Sequence, residues 1–136
     1  MIKLTVVFPL AFALLLGGCV QRYRPIANVD RAMPPIVERL SPDQTRDAII
    51  TAGRQLDWAM TPVGPGHLEA TQTAPRFSAT ADIYYTPVRL QILLKSSVNL
   101  FQTPTTIHAH YNLWARNLES AIITELSHEI PRVGSR

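Results

Sequence analysis

The sequence has one cysteine, Cys19, among its 136 residues. A single cysteine allows no intramolecular disulfide and no redox pair, so we expect the hydrophobic core alone to hold the fold together. The charge excess is also small, with 13 Lys and Arg residues against 10 Asp and Glu residues. Because the basic residues are scattered along the chain and not gathered into clusters with aromatic residues, no nucleic-acid partner is predicted.

Recognisable catalytic motifs are lacking as well. The candidate serine nucleophiles, all outside any Gly-x-Ser-x-Gly elbow, are Ser78, Ser96 and Ser97. His108 and His110 could ligate a metal together from a strand but not from a helix start, and no nearby acidic residue completes a set. Glu69 and Asp82 could be paired carboxylates on neighbouring strands, although charges on a solvent-facing surface explain both more simply. We therefore predict no enzyme activity, no cofactor and no metal.

The N-terminus carries the one long apolar run. Lys3 is followed by apolar residues over 4–16, the length of the hydrophobic region of a secretion signal. As a helix this run would span only about 20 Å, which is short of the roughly 30 Å hydrocarbon core of a bilayer. A removable signal peptide is therefore favoured over a transmembrane helix.

The run ends in Leu16-Gly17-Gly18-Cys19, which resembles the lipobox of bacterial lipoproteins. The resemblance implies that residues 1–18 are removed and that Cys19 becomes a lipidated N-terminus anchored in a membrane. It also implies an outer-membrane location facing the periplasm, because residue 20 is Val and not the Asp that retains enteric lipoproteins in the inner membrane. The alternative is an ordinary signal peptide in which Cys19 is incidental.

The segment after the cysteine is rich in proline and has no sustained apolar period. We interpret residues 19–40 as a lipidated cysteine followed by a tether, whose reach as a coil is about 25 Å. In the alternative interpretation, Ile36, Val37 and Leu40 pack onto the folded domain as a first strand or arm.

Regular patterns begin at Ser41, and residues 41–130 are predicted to form one domain. Ser41 is typical of a helix N-cap, Pro42 of a first helical position, and Gln44 of a capping-box partner. Apolar residues then recur at helical spacing, so the first helix should end near Asp57.

Period-two alternation follows the first helix. The clearest strand covers 77–85, with weaker strands predicted over 67–73 and 88–95. Prolines and glycines over 61–66 predict a turn, and 96–106 is interpreted as a loop. The close spacing of the three strands favours antiparallel neighbours.

Apolar residues recur at steps of three and four from 107 to 126, which predicts a long amphipathic helix. Its apolar stripe requires a matching surface, and the sheet offers one. The predicted fold class is α+β: a helix, a three-stranded antiparallel meander and a long C-terminal helix packed on one sheet face. Residues 131–136 are expected to be a tail.

The start of the long helix also resembles a family of small proteobacterial lipoproteins that share an Ile-His-x-x-Tyr-Asn-x-Trp-x-x-Asn-Leu pattern. The matching positions are Ile107, His108, Tyr111, Asn112, Trp114, Asn117 and Leu118. The resemblance covers about residues 45–126 and implies a compact helix, sheet and helix domain with no established activity. It departs from the family pattern in the third strand, at residues 93–97.

Polar and aromatic residues of this region suggest where a partner could bind. The candidate binding surface consists of Tyr84, Arg89, His108, Asn112 and Arg116. In the alternative interpretation the residues at the helix start are structural: Asn112 and Asn117 hydrogen-bond loop backbone, and His108 fixes the preceding connection onto the helix. The predicted function is that of a membrane-anchored, non-enzymatic adaptor or accessory of an assembly in the cell envelope, with a protein partner. The alternative is a module that binds a small ligand or a lipid in a pocket between the sheet and the C-terminal helix.

Overall fold

The computed structural model describes residues 22–131, so the predicted signal peptide, Cys19 and residues 132–136 lie outside the described part of the chain. The elements within the described part are β1 Tyr23–Pro25, β2 Val29–Ala32, a 3-10 helix Pro35–Arg39, α1 Pro42–Gln55, β3 Ala59–Gly64, β4 His67–Thr73, β5 Ser78–Tyr85, β6 Arg89–Val98, β7 Thr106–His108 and α2 Ala109–His128.

The strands form two antiparallel sheets. One has five strands in the order β2-β6-β5-β4-β3, and the other pairs β1 with β7. The α+β class is thus confirmed, but the prediction of only three strands is an undercount. The sequence did not predict β3 as a strand, because Pro62 and Gly64 are typical of turns. In the structure Pro62 lies on the edge strand of the sheet, where a missing N–H is tolerated.

The segment before α1 belongs to the folded domain. β1 pairs with β7 and β2 pairs with β6, and inward side chains of the segment are buried in the core: Val29, Met33, Val37 and Leu40. The prediction of a tether is therefore wrong for residues 23–40, and the alternative in which this segment packs onto the domain describes it better. The elements are too short to show an apolar period, and the strands with which they pair lie more than 55 residues away along the chain.

α1 begins as the sequence predicts. The Ser41 hydroxyl accepts a hydrogen bond from the Gln44 amide N–H at 3.1 Å, and the Gln44 side chain accepts one from the Ser41 N–H at 3.1 Å. This reciprocal capping box satisfies two backbone donors that a helix start otherwise leaves free. The helix ends at Gln55, and Asp57 reverses the chain with φ of 62°.

Both helices pack on one face of the five-stranded sheet. The main core joins Ile49 of α1 and Leu118, Ile122 and Leu126 of α2 to inward residues of the sheet. Those sheet residues are Leu68, Ala70, Ala81, Ile83, Leu90 and Ile92, each with no exposed surface. Ala70 and Ala81 lie directly opposite each other in the central strand pair, and their small side chains let the helices approach the sheet closely.

A second, smaller core lies where the two-stranded sheet meets the first turns of α2. It contains Ala79, Leu100, Ile107, Tyr111 and Ala115. The Tyr111 hydroxyl is buried here without a hydrogen-bond partner among the described residues, and burial raises the pKa of this phenol.

Neither α1 nor α2 combines the length with the apolar character that crossing a bilayer requires.

Candidate binding surfaces

The structure divides the five predicted surface residues among three places. Tyr84 and Arg89 lie on the sheet face that the helices leave uncovered. Asn112 and Arg116 lie on α2 beside β1, and His108 lies at the junction of β7 and α2. The five residues therefore do not form one surface. Tyr84 points away from the face that α2 covers, since it is exposed between the buried Ile83 and the half-buried Tyr85.

We call the uncovered side the open sheet face; its polar and aromatic side chains are His67, Glu69, Thr71, Thr80, Asp82, Tyr84, Arg89, Gln91 and Lys95. Tyr84 stacks on the His67 ring with a centroid distance of 4.3 Å, and the two residues are directly opposite each other in neighbouring strands. His67 Nε2 lies 2.8 Å from Asp82 Oδ1. The stacked ring and the carboxylate together fix the imidazole in one orientation.

Charges on this side are paired with each other. Lys95 Nζ donates to Glu69 Oε2 at 2.6 Å, and this hydrogen bond raises the pKa of Lys95. At the edge of the sheet, Arg89 Nε donates to Asp30 Oδ1 at 2.7 Å, and Arg89 Nη2 donates to the other carboxylate oxygen. The Arg89 hydrogen bonds lower the pKa of Asp30, with a further contribution from the amide of Gln91.

Glu69 and Asp82 are direct cross-strand neighbours, as the hypothesis of paired carboxylates required. Each carboxylate has its own hydrogen-bonding partner, the Lys95 ammonium for Glu69 and the His67 imidazole for Asp82. Like charges opposite each other destabilise a sheet unless they are compensated. The arrangement is that of a compensated polar surface, which is the simpler of the two explanations that the sequence allowed.

Asn112 has a structural role. Its side chain is 5% exposed, its Oδ1 accepts a hydrogen bond from the Ala27 N–H at 2.9 Å, and its Nδ2 donates to the Pro25 carbonyl at 2.8 Å. Both bonds fasten the end of β1 to α2 and leave the Asn112 amide little capacity for a ligand.

Arg116 borders an open groove of about 590 Å³ between the end of β1 and α2, which we call the basic groove. Arg24 and the exposed Leu113 also line this groove. Neither arginine forms an ion pair with a described acidic side chain, so the groove has positive charge and an apolar side chain available to solvent.

His108 caps α2 and belongs to a group of rings that we call the aromatic end: the exposed Tyr23 and Phe101 and the half-buried His108. His108 Nδ1 accepts a hydrogen bond from the His110 N–H at 3.2 Å. The Tyr23 ring meets the Phe101 ring edge-on at 5.9 Å and the His108 ring at 6.2 Å. Phe101 is 67% exposed and Tyr23 45% exposed.

Sequence reasoning missed Tyr23, Phe101 and His67. Tyr23 lies in the segment interpreted as a tether, and Phe101 in the predicted loop, so no period marked either of them. His67 follows the turn of the β3–β4 hairpin, and only the register with β5 places it beside Tyr84 and Asp82. For Tyr23, the sequence feature that could have indicated a functional surface is its position between two arginines, Arg22 and Arg24.

The paired histidines do not build a metal centre with other described side chains. The His108 and His110 rings are 5.9 Å apart, and nowhere in residues 22–131 do three His, Cys, Asp or Glu side chains converge in an arrangement that could hold a metal ion.

Comparisons with known proteins leave the chain without an assigned family. No protein-family model matches it, and a search of curated proteins finds no match. The resemblance to small proteobacterial lipoproteins therefore stays a prediction.

Proposed function

We propose that the chain is a lipid-anchored protein of the bacterial cell envelope that acts as a non-enzymatic adaptor or accessory of a larger assembly. The observation that carries the proposal is Cys19, the only cysteine, placed directly after Leu16-Gly17-Gly18 and an apolar run. Acyl chains contribute about 0.8 kcal/mol per buried CH₂, and two or more of them give stable anchoring. With Val20 after the cysteine, the proposed location is the outer membrane, facing the periplasm.

The open sheet face supports the adaptor role. Tyr84 is 39% exposed, and two exposed valines lie at the same end of the sheet, Val63 near the end of β3 and Val88 in the turn between β5 and β6. Aromatic and apolar side chains surrounded by compensated charges offer a protein partner contact area without unpaired ions to desolvate. We propose this face as the partner surface.

The alternative of a ligand pocket between the sheet and α2 has less support. Leu118, Ile122 and Leu126 of α2 have no exposed surface and fill the space against the sheet. Trp114 packs edge-on against Trp58 at 6.3 Å, so side chains occupy the position beneath it where a ligand would lie.

Membrane fractionation of the wild-type chain and Cys19→Ala tests the anchor. We expect the wild type in the membrane fraction as the mature chain, and Cys19→Ala either released or retained only as the longer, uncleaved precursor. Equal membrane association of both chains at the mature length would refute the anchor.

Photo-crosslinking in intact membranes tests the adaptor role. A photoreactive amino acid at Tyr84 should capture a specific protein neighbour, whereas the same group at Asp43, an exposed position on α1, should not. Recovery of uncrosslinked monomer alone from both positions would contradict the role.

A further inference from the structure

The distance between the proposed anchor and the folded domain is short. The Arg22 carbonyl accepts a hydrogen bond from the Ala109 N–H at 2.8 Å, and Tyr23 pairs with His108. The domain is thus fixed from Arg22 onward, three residues after Cys19. Three residues extend at most about 11 Å, whatever their conformation. A lipid on Cys19 therefore brings the β1 end of the domain to the bilayer surface.

That end of the domain carries the side chains that a bilayer surface attracts. The aromatic end presents Tyr23 and Phe101, and the exposed Arg22 and Arg24 flank Tyr23. Neither arginine is paired with an acidic side chain of the described residues. Aromatic rings favour the headgroup region of membranes, and arginines are attracted to anionic lipids.

The backbone of Phe101 gives independent support. Its φ is 51°, in the left-handed region that a bulky side chain rarely adopts, and the ring is nevertheless held outward. Strain of this kind is found most often at functional positions. Leu100, the residue before it, is fully buried and fixes the loop, so the strained residue is the one that faces solvent.

We propose that the aromatic end, with Arg22 and Arg24, docks onto the anionic phospholipid surface of the same bilayer that holds Cys19. The inference rests on the proposed lipid anchor. Docking orients the domain. Ser78, at the start of the central strand β5, pairs with Val98 near the aromatic end, and the other end of β5 lies about 23 Å away along the strand. The exposed Val88, at that opposite end, then faces away from the membrane.

The test uses the full lipidated chain reconstituted in vesicles of phosphatidylethanolamine and phosphatidylglycerol. A fluorophore is attached to a cysteine introduced by Gln102→Cys, next to Phe101, or by Val88→Cys as the control. A nitroxide-bearing lipid quenches a label that lies near the headgroups. We expect strong quenching at residue 102 and weak quenching at residue 88. Equal quenching at both positions would overturn the proposal.

Variants separate docking from folding. Phe101→Asn suits the left-handed backbone, so it should leave the unfolding temperature unchanged or higher while it lowers the ratio of docked to undocked molecules about tenfold. Each of Arg22→Gln and Arg24→Gln should lower the ratio about fivefold, and phosphatidylcholine vesicles, which remove the attraction to both arginines, should lower it about 25-fold. The matched control, Val88→Asn, should not change it. Unchanged quenching in Phe101→Asn with an intact fold would refute the docking.

The same samples show whether the anchor itself fails. If Cys19 is acylated, the chain without an introduced cysteine takes up no thiol-reactive label. Labelling of that chain, together with its failure to enter vesicles, would overturn the anchor and the docking. A chain that is unlabelled and vesicle-bound, but without the quenching contrast, would overturn the docking alone.

Discussion

Asn112 fastens the first strand to α2, and we expect Asn112→Ala to destabilise the domain strongly. The Asn112 side chain makes hydrogen bonds with the Ala27 N–H and the Pro25 carbonyl at 2.9 and 2.8 Å. The truncation leaves both backbone groups without these partners in a partly buried site. Each lost bond costs about 1 kcal/mol, and stranded polar groups cost more, so the expected loss is about 2–3 kcal/mol.

Urea unfolding followed by circular dichroism measures this loss, with the full chain in a mild non-ionic detergent. A domain of this size should also lose about 10 °C in unfolding temperature. Asn112→Asp keeps an acceptor for the Ala27 N–H but places a buried carboxylate oxygen against the Pro25 carbonyl. It should therefore destabilise the domain at neutral pH at least as much as Asn112→Ala.

Asn117→Ala is the matched control, because Asn117 is an exposed residue of the same type on the same helix. Its unfolding free energy should stay within about 0.5 kcal/mol of the wild type. An Asn112→Ala variant as stable as Asn117→Ala would refute the reasoning, since β1 would then not depend on this side chain for its position.

Three further predictions concern the core, the sheet edge and the first helix. Tyr111→Phe removes a buried hydroxyl without a partner among the described residues, so the unfolding free energy should rise by up to about 1 kcal/mol; a clear loss would reveal a hidden partner. Arg89→Gln removes the hydrogen bond that lowers the pKa of Asp30, so the Asp30 carboxyl should titrate at a higher pH by NMR. A carboxyl group with a lowered pKa stabilises the fold above that pKa, and this stability is lost as the pH falls through it. The wild type should therefore be more stable than the variant at neutral pH but not in acid, and an unchanged Asp30 titration would contradict the ion pair. Ser41→Ala should cost about 1 kcal/mol through loss of the capping box, while the exposed Ser120→Ala should cost far less in urea unfolding, and equal costs would argue against the cap.

Local chemistry allowed the sequence to predict α1 and α2. Ser41, Pro42 and Gln44 specify the start of α1 by contacts within four residues of chain, and apolar repeats specify the buried stripe of α2. The strand over Ser78–Tyr85 followed from period-two alternation for the same reason. Such signals need no knowledge of the rest of the molecule.

Long-range pairing decided what the sequence could not predict. β1 exists because Tyr23 meets His108, 85 residues further along the chain, and β2 because Val29 meets Ile92. No local pattern marks three- and four-residue strands in a segment rich in proline. For the same reason the sequence left Asn112 open to a binding role or to hydrogen bonds with loop backbone, and only the position of β1 shows which backbone groups its amide contacts.

The candidate surfaces also depend partly on local sequence patterns and partly on long-range strand pairing. Tyr84 and Arg89 could be placed on an open sheet face by alternation alone, whereas the partners that fix them, His67 and Asp30, depend on strand register. The shortening of the predicted tether has the largest consequence, because it changes a domain held away from the membrane into one that an anchor at Cys19 would hold against it.

The most direct test of the account is the intact mass of the protein extracted from membranes. The account predicts a mature chain that begins at Cys19 and carries the added mass of its acyl chains, with no free thiol. A chain cleaved at another residue, or one with an unmodified Cys19, would contradict it.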